Sequence, residues 1–195
     1  MDQHQAKREM RERLLAARRA MPAAERTAAG SALRDAVLAL PGITMGGTVC
    51  AYHSIGTEPP THKLVAALWK HGVYVLLPVV LADGSLDWAA YEGPDSLTPA
   101  DHGLLEPMGQ RYGAEAVHRA AAVICPALAV DHGGVRLGRG AGYYDRALAR
   151  VGPNTLTLAA VYDDEFVDTV PAEPHDQPVG AVVTPGGGVR RLAPQ

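Results

Sequence analysis

The residues best suited to chemistry lie in one run, from Asp131 through Arg136, Leu137, Gly138, Arg139, Gly140, Ala141, Gly142, Tyr143 and Tyr144 to Asp145 and Arg146. Gly138, Gly140 and Gly142 alternate, a spacing that frees the backbone to take positive φ and aim several N–H groups at one point. Arg136 and Arg139 add permanent charge in a fork geometry that matches phosphate oxygens. A helix beginning near Tyr143 would contribute unpaired N–H groups and the positive end of its dipole. Asp145, in its first turn, is a carboxylate suited to a Mg²⁺ ion bridging phosphates. These features predict a grip on a nucleotide polyphosphate. The run has neither the Gly-Lys-Ser/Thr of a Walker loop nor Gly-x-Gly-x-x-Gly. A flexible linker has no use for two arginines, three spaced glycines and Tyr-Tyr-Asp together. RNA binding through the Arg-Gly element is disfavoured by an acidic chain with no basic sheet face.

Such a loop needs a rigid frame. Residues 5–21 read as a helix with Met10, Leu14 and Leu15 as its apolar stripe. At 100° per residue Lys7, Arg11 and Arg18 fall within about 40° of one another, so they share a face. Pro22 opens a second helix that carries Leu33, Val37 and Leu40 and stops at Pro41-Gly42. Residues 48–53 read as a buried strand. A turn at 56–60 leads to Thr61, a suitable N-cap for a helix over 63–70. Residues 73–80 form a second buried strand, and the Asp83-Gly84 turn leads into an edge strand over 86–91. Residues 93–110 read as loop, 114–119 as a short helix and 121–125 as a strand. After the glycine-rich run come a helix over 143–151, a strand over 156–161 and a last or nearly last strand over 181–184. This alternation predicts an α/β fold, with a mostly parallel sheet covered by helices on both faces, in a single domain spanning 1–195. The glycine-rich run follows a strand and opens a helix, where such sheets place their ligands.

Composition agrees. Hydrophobic residues make up 47% of the 195, enough for a real core and against disorder. The net charge of −3 conceals an asymmetry, because residues 1–20 carry +3 and the remainder −6. A basic arm on an acidic body is either a solvated helix face or a means of reaching an anion. Cys50 and Cys125 sit inside apolar runs and read as core thiols of a reducing compartment. With a polar N-terminus and no run near ~20 apolar residues, the chain is expected to be cytoplasmic, without membrane or nucleic-acid partners. A monomer acting on small molecules is the expectation.

Five elements in order resemble one known family. Arg136–Asp145 is similar to the signature of the 5-formyltetrahydrofolate cyclo-ligases, also called 5,10-methenyltetrahydrofolate synthetases. Lys7–Arg11 resembles that family's Lys-x-x-Leu-Arg element, Gly56–Thr61 its Glu-containing segment, Gly103–Pro107 its Gly-Ile-x-Glu-Pro loop, and Val170–Asp176 its Pro-x-x-x-His-Asp element. The resemblance implies a Rossmann-like three-layer α/β/α sandwich. It also implies cyclisation of 5-formyltetrahydrofolate to the 5,10-methenyl form, using ATP as co-substrate and Mg²⁺, with ADP and phosphate released. By the same resemblance Lys7, Arg8, Glu9, Met10 and Arg11, with Arg136 through Tyr144, hold ATP. Lys7 and Arg139 act on the transferred phosphoryl group, and Asp145 and Asp176 ligate Mg²⁺. His53 and Glu58 bind the folate with Arg139, Gly140, Ala141, Gly142 and Tyr143. Several assignments have a plain alternative: a solvated face for Lys7 and Arg11, a turn residue for Asp176, and half-buried packing instead of ring stacking for Trp88. Three positions depart from the family pattern: Ala141 for Gly or Lys, Val130 for Phe, and Glu165 for Gln, whose extra charge is expected to alter nucleotide or metal contacts. A folate- or nucleotide-binding homologue without turnover is the rival reading.

Overall fold

The computed structural model describes residues 2–192. Helix α1 (Gln3–Ala20) is capped by Asp2, whose carboxylate accepts the His4 N–H at 3.1 Å. Pro22 precedes α2 (Ala23–Leu38). Then follow β1 (Thr48–Cys50), α3 (His62–Lys70), β2 (Tyr74–Val80), β3 (Leu86–Ala90), β4 (Leu97–Pro99) and β5 (Leu105–Pro107). A 3₁₀ segment, Ala114–Arg119, leads to β6 (Ala122–Pro126), β7 (Ala129–Asp131), β8 (Arg136–Leu137) and α4 (Tyr143–Leu148). The chain continues through β9 (Leu156–Ala160), β10 (Phe166–Val167), β11 (Ala181–Thr184) and β12 (Gly188–Arg191).

Seven strands form the main sheet in the order β12-β11-β9-β6-β1-β2-β3. β1 runs parallel to β2 and β6, and β9 runs parallel to β6 and β11. Only the edges are antiparallel, β3 on β2 and β12 on β11. Alternate strand residues point to opposite faces. Val49, Val75, Leu77, Ile124, Leu158 and Val183 meet Leu33 and Val37 of α2 and Leu64 and Leu68 of α3. Cys50, Leu76, Trp88, Val123, Cys125 and Val182 meet Val117 of the 3₁₀ segment and Ala147 and Leu148 of α4. Each fully buried leucine contributes about 1.5–3 kcal/mol. The three layers are those expected. Burial pushes the Cys50 thiol up to about 12 and that of Cys125 to about 11, so both stay protonated in the core. Among the described residues no helix is long and apolar enough to cross a membrane.

From β1 the chain steps to β2 on one side, while β6, β9 and β11 build the other. The order therefore reverses between β1 and β6. Loops leaving their carboxyl ends diverge there and open a crevice.

Four local expectations change. Residues 93–110 are not plain loop: β4 and β5 pair as a hairpin, and Glu106 fixes it to β2 by accepting the Val80 N–H at 3.0 Å. Helix α4 ends at Leu148, short of Val151. Thr61 stands at the N-cap of α3 without capping it, because its hydroxyl donates instead to the Tyr52 carbonyl at 2.6 Å. Trp88 is 0% exposed, since the 3₁₀ segment covers the inner face of edge strand β3. It packs in the core and does not line the cavity described below.

Candidate active site

The crevice holds a cavity of about 610 Å³. Its walls come from α1, the loop after β1, the β4–β5 hairpin, the β8–α4 loop and residues 173–176.

The glycine-rich loop is held from both ends. Asp131 is buried; its Oδ1 accepts the N–H groups of Gly133 and Val135, each at 2.9 Å, and its Oδ2 accepts Val170 N–H at 3.1 Å. Gly134 has φ +87, and a methyl group there would collide with the Val179 carbonyl oxygen. Arg136 is buried: Nη1 donates to the Pro126 carbonyl at 3.1 Å and Nη2 to Asp145 Oδ1 at 3.1 Å. It thereby joins the loop's entry to its exit. Gly140 and Gly142 take positive φ as expected, but Gly138 does not. Gly138 is small for another reason: an added methyl would meet the Arg136 guanidinium at 2.8 Å. Arg146, which closes the run but was given no role from the sequence, donates to Gly84 at 2.9 Å and Ala141 at 3.1 Å, stitching the loop to the β2–β3 turn. With six residues and no side-chain cap, α4 brings less of a dipole than the longer helix expected. Arg139 remains available. Its side chain is 51% exposed, and Nε lies 3.6 Å from Glu58 Oε1.

Helix α1 turns its basic face inward, against the solvated alternative. Lys7 Nζ donates to Glu173 Oε2 and Asp176 Oδ2, both at 2.6 Å. Burial opposes the Lys7 charge, but its bonds to Asp176 and Glu173 prevail and raise its pKa. Arg11 Nε donates to the Gly138 carbonyl at 2.9 Å. Arg18 grips Glu165 with Nε at 2.6 Å and Nη2 at 2.8 Å. The unexpected acid at 165 is thus neutralised inside the protein and does not line the cavity. Arg8, Glu9 and Met10, from which nucleotide contacts were expected, do not line the cavity. At 100° per residue Arg8 and Glu9 project away from Lys7 and are exposed; Met10, nearer the Lys7 face, packs against the cluster of Leu14, Leu128 and Leu137.

Asp145 and Asp176 both line the cavity but sit in different settings. Asp145 Oδ1 accepts from Arg136 and from the Gln177 N–H at 3.2 Å. Asp176 belongs with Glu173 and His175, whose ligating atoms all lie within 4.8 Å of one another. Glu173 escaped the sequence reading, although it stands beside the Pro-His-Asp step that selected Asp176.

The floor comes from the loop after β1. Thr61 Oγ1 accepts the Ser54 N–H at 2.9 Å and Ser54 Oγ accepts the Thr61 N–H at 2.9 Å, pinning the segment at its base. Glu58 Oε2 accepts the Ile55 N–H at 2.9 Å. Burial raises the Glu58 pKa, with the Ile55 N–H and Arg139 pulling against it. His53 lines the cavity with Nε2 3.0 Å from His62 Nδ1; burial, then His62, push its pKa down to about 4. Pro78, Val80, Leu86, Leu104 and Leu105 supply an apolar wall.

Known proteins match this arrangement. The model of the 5-formyltetrahydrofolate cyclo-ligase family matches residues 3–185. The chain is 42% identical over 193 residues to the 5-formyltetrahydrofolate cyclo-ligase of Mycolicibacterium smegmatis, a match covering 96% of this chain and 97% of that one. It is 30% identical over 171 residues to the Escherichia coli cyclo-ligase, covering 86% and 94%. The NMR structure of Aquifex aeolicus 5,10-methenyltetrahydrofolate synthetase superposes with a TM-score of 0.82 at 28% identity, covering 97% of this chain and 94% of that one. The Mycoplasma pneumoniae synthetase shares the fold, with a TM-score of 0.70 at 18% identity over 90% and 96% of the two chains. Matched in sequence and architecture over nearly all its length, the chain belongs to the 5-formyltetrahydrofolate cyclo-ligase family and is an enzyme of that kind.

Proposed function

We propose that the chain cyclises 5-formyltetrahydrofolate to 5,10-methenyltetrahydrofolate at the expense of ATP, through phosphorylation of the formyl oxygen. One observation carries the reading. Arg139 of the glycine-rich loop lies 3.6 Å from Glu58 of the floor, so a phosphoryl donor held by the first adjoins a folate held by the second.

A formamide carbon is a poor electrophile, and its oxygen leaves poorly. Moving the γ-phosphoryl group onto that oxygen breaks the bond to ADP. The folate N10 then attacks the formyl carbon and loses its proton, and the C–O bond breaks to expel phosphate. Ring closure is intramolecular, so the protein needs no nucleophile of its own; it positions the partners and neutralises charge. Arg139 attracts the transferred group. Lys7 and Arg11 close over the phosphates from α1, and the loop from Arg136 to Tyr144 cradles them. Glu58 accepts from the pterin N–H groups, and His53, uncharged at neutral pH, lines the same pocket.

Asp145 and Asp176 suit Mg²⁺, which takes carboxylate, phosphate and water oxygens. Both border the cavity, and neither Asp145 Oδ2 nor Asp176 Oδ1 accepts a hydrogen bond among the described residues. Bound there, the ion would neutralise phosphate charge. Two buried free thiols suit a reducing cytoplasm.

Purified protein given ATP, Mg²⁺ and 5-formyltetrahydrofolate is expected to develop the near-ultraviolet absorbance of the methenyl product. Binding of ATP without that absorbance would establish a homologue without turnover. Glu165, the charged departure from the family pattern, is paired with Arg18 and offers that rival no support.

A further inference from the structure

Among the described residues three buried side-chain polar atoms lack a hydrogen-bond partner: the Tyr52 hydroxyl, Trp88 Nε1 and Arg136 Nε. Trp88 lies in the core away from the cavity, and Arg136 is anchored through its two other nitrogens. Tyr52 lines the cavity floor. A buried hydroxyl with nothing to bond is costly, and proteins rarely keep one without a use.

The residue is fixed in place. Thr61 holds its carbonyl at 2.6 Å, and the reciprocal Ser54–Thr61 bonds lock the next turn of chain. Burial, reinforced by the nearby Glu58 carboxylate, keeps the phenol protonated, so it acts as a donor. The Glu58 carboxylate lines the same cavity and is close enough to act on the phenol electrostatically.

The ring of a tetrahydrofolate has a matching edge. Its N3–H and 2-amino groups are adjacent donors, and the 4-oxo group beside them is an acceptor. A carboxylate satisfies the donors and repels the acceptor, so the 4-oxo group needs a donor next to Glu58. We infer that the Tyr52 hydroxyl donates to the 4-oxo group of the substrate ring and sets specificity for it. This rests on the folate reading above and adds a residue to it.

The test is Tyr52→Phe, which removes one oxygen and leaves the ring packing intact. With ATP saturating, the KM for 5-formyltetrahydrofolate should rise about tenfold. The kcat should stay within about twofold and the melting temperature should hold or increase. A reduced folate bearing a 4-amino in place of the 4-oxo group should compete at least about tenfold less well than the natural ligand against wild type, and the variant should lose the part of that discrimination due to the 4-position, the rest arising from N3, which carries no hydrogen in the 4-amino ring. An unchanged KM and unchanged discrimination, with a raised melting temperature, would show the hydroxyl to be packing only and overturn the inference. Should wild type form no methenyl product, the catalytic reading fails separately, and calorimetric affinities for 5-formyltetrahydrofolate decide the question: equal values in both proteins overturn the role of Tyr52, and weaker binding by the variant supports it.

Discussion

Arg18 and Glu165 form a two-pronged ion pair, 2.6 and 2.8 Å, with the residues 1% and 4% exposed. The second Arg18 bond from Nη2, to the Ala127 carbonyl at 2.6 Å, leaves the guanidinium little freedom. Glu165 Oε2 also accepts the Tyr162 N–H at 2.8 Å. Breaking such a pair from one side strands a buried charge, at a cost of roughly 3–5 kcal/mol. Arg18→Ala is therefore expected to lose that much in urea denaturation. Glu165→Gln keeps the geometry and should lose less, about 1–3 kcal/mol. A double-mutant cycle reads the coupling; additive losses would mean that the two side chains act independently.

Arg136 and Arg139 should part company on substitution. Arg136→Ala removes a buried anchor and is expected to lower stability by roughly 3 kcal/mol along with activity. Arg139→Ala removes a half-exposed side chain, so turnover should collapse while the melting point moves by little. Parallel calorimetry and kinetics separate the two, and equal loss of both properties in Arg139→Ala would make it structural.

His53 gives a signature in pH. Its folded value is about 4 against an ordinary 6.5, so between these limits the unfolded chain binds more protons than the native one. Stability is therefore fully present above 6.5 and declines as pH falls towards 4. His53→Gln should flatten that decline. Nitrogen shifts of the imidazole should show it neutral at pH 5.5, and His62→Gln should raise its pKa only in part, because burial remains the larger cause. Titration near 6.5 in the native protein would contradict the burial.

Lys7→Met is expected to free α1. The substitution keeps the length of the stem but leaves Glu173 and Asp176 facing each other uncompensated. Limited proteolysis should then cut near the N-terminus faster than in wild type, and the KM for ATP should rise by about tenfold or more. An unaltered digestion pattern would show that other contacts dock the helix.

The helices, the parallel strands and the place of the loop were legible because each rests on local signals: period, Pro and Gly punctuation, and glycine spacing. The hairpin of β4 and β5 was hidden, since strands of three residues containing Pro99 and Pro107 carry almost no alternation. The fates of Arg136 and Arg139 were equally hidden. Two arginines three positions apart look alike until Pro126 and Asp145 close on the first and leave the second in the cavity mouth. Resemblance selected Glu165 as a departure, but its partner lies 147 positions away and no local pattern reveals it. Tyr52 was read as one more strand residue; only the missing partner of its hydroxyl marks it out.

Lys7 meets its two acids 166 and 169 positions further along the chain. During synthesis the first helix therefore emerges with its inward charges unanswered, and waits until almost the whole polypeptide has been made. A nascent chain halted before Glu173 would have its glycine loop but would lack β11, β12 and both acids, and could not close the pocket. The cavity is therefore completed late, when α1 meets residues 173–176.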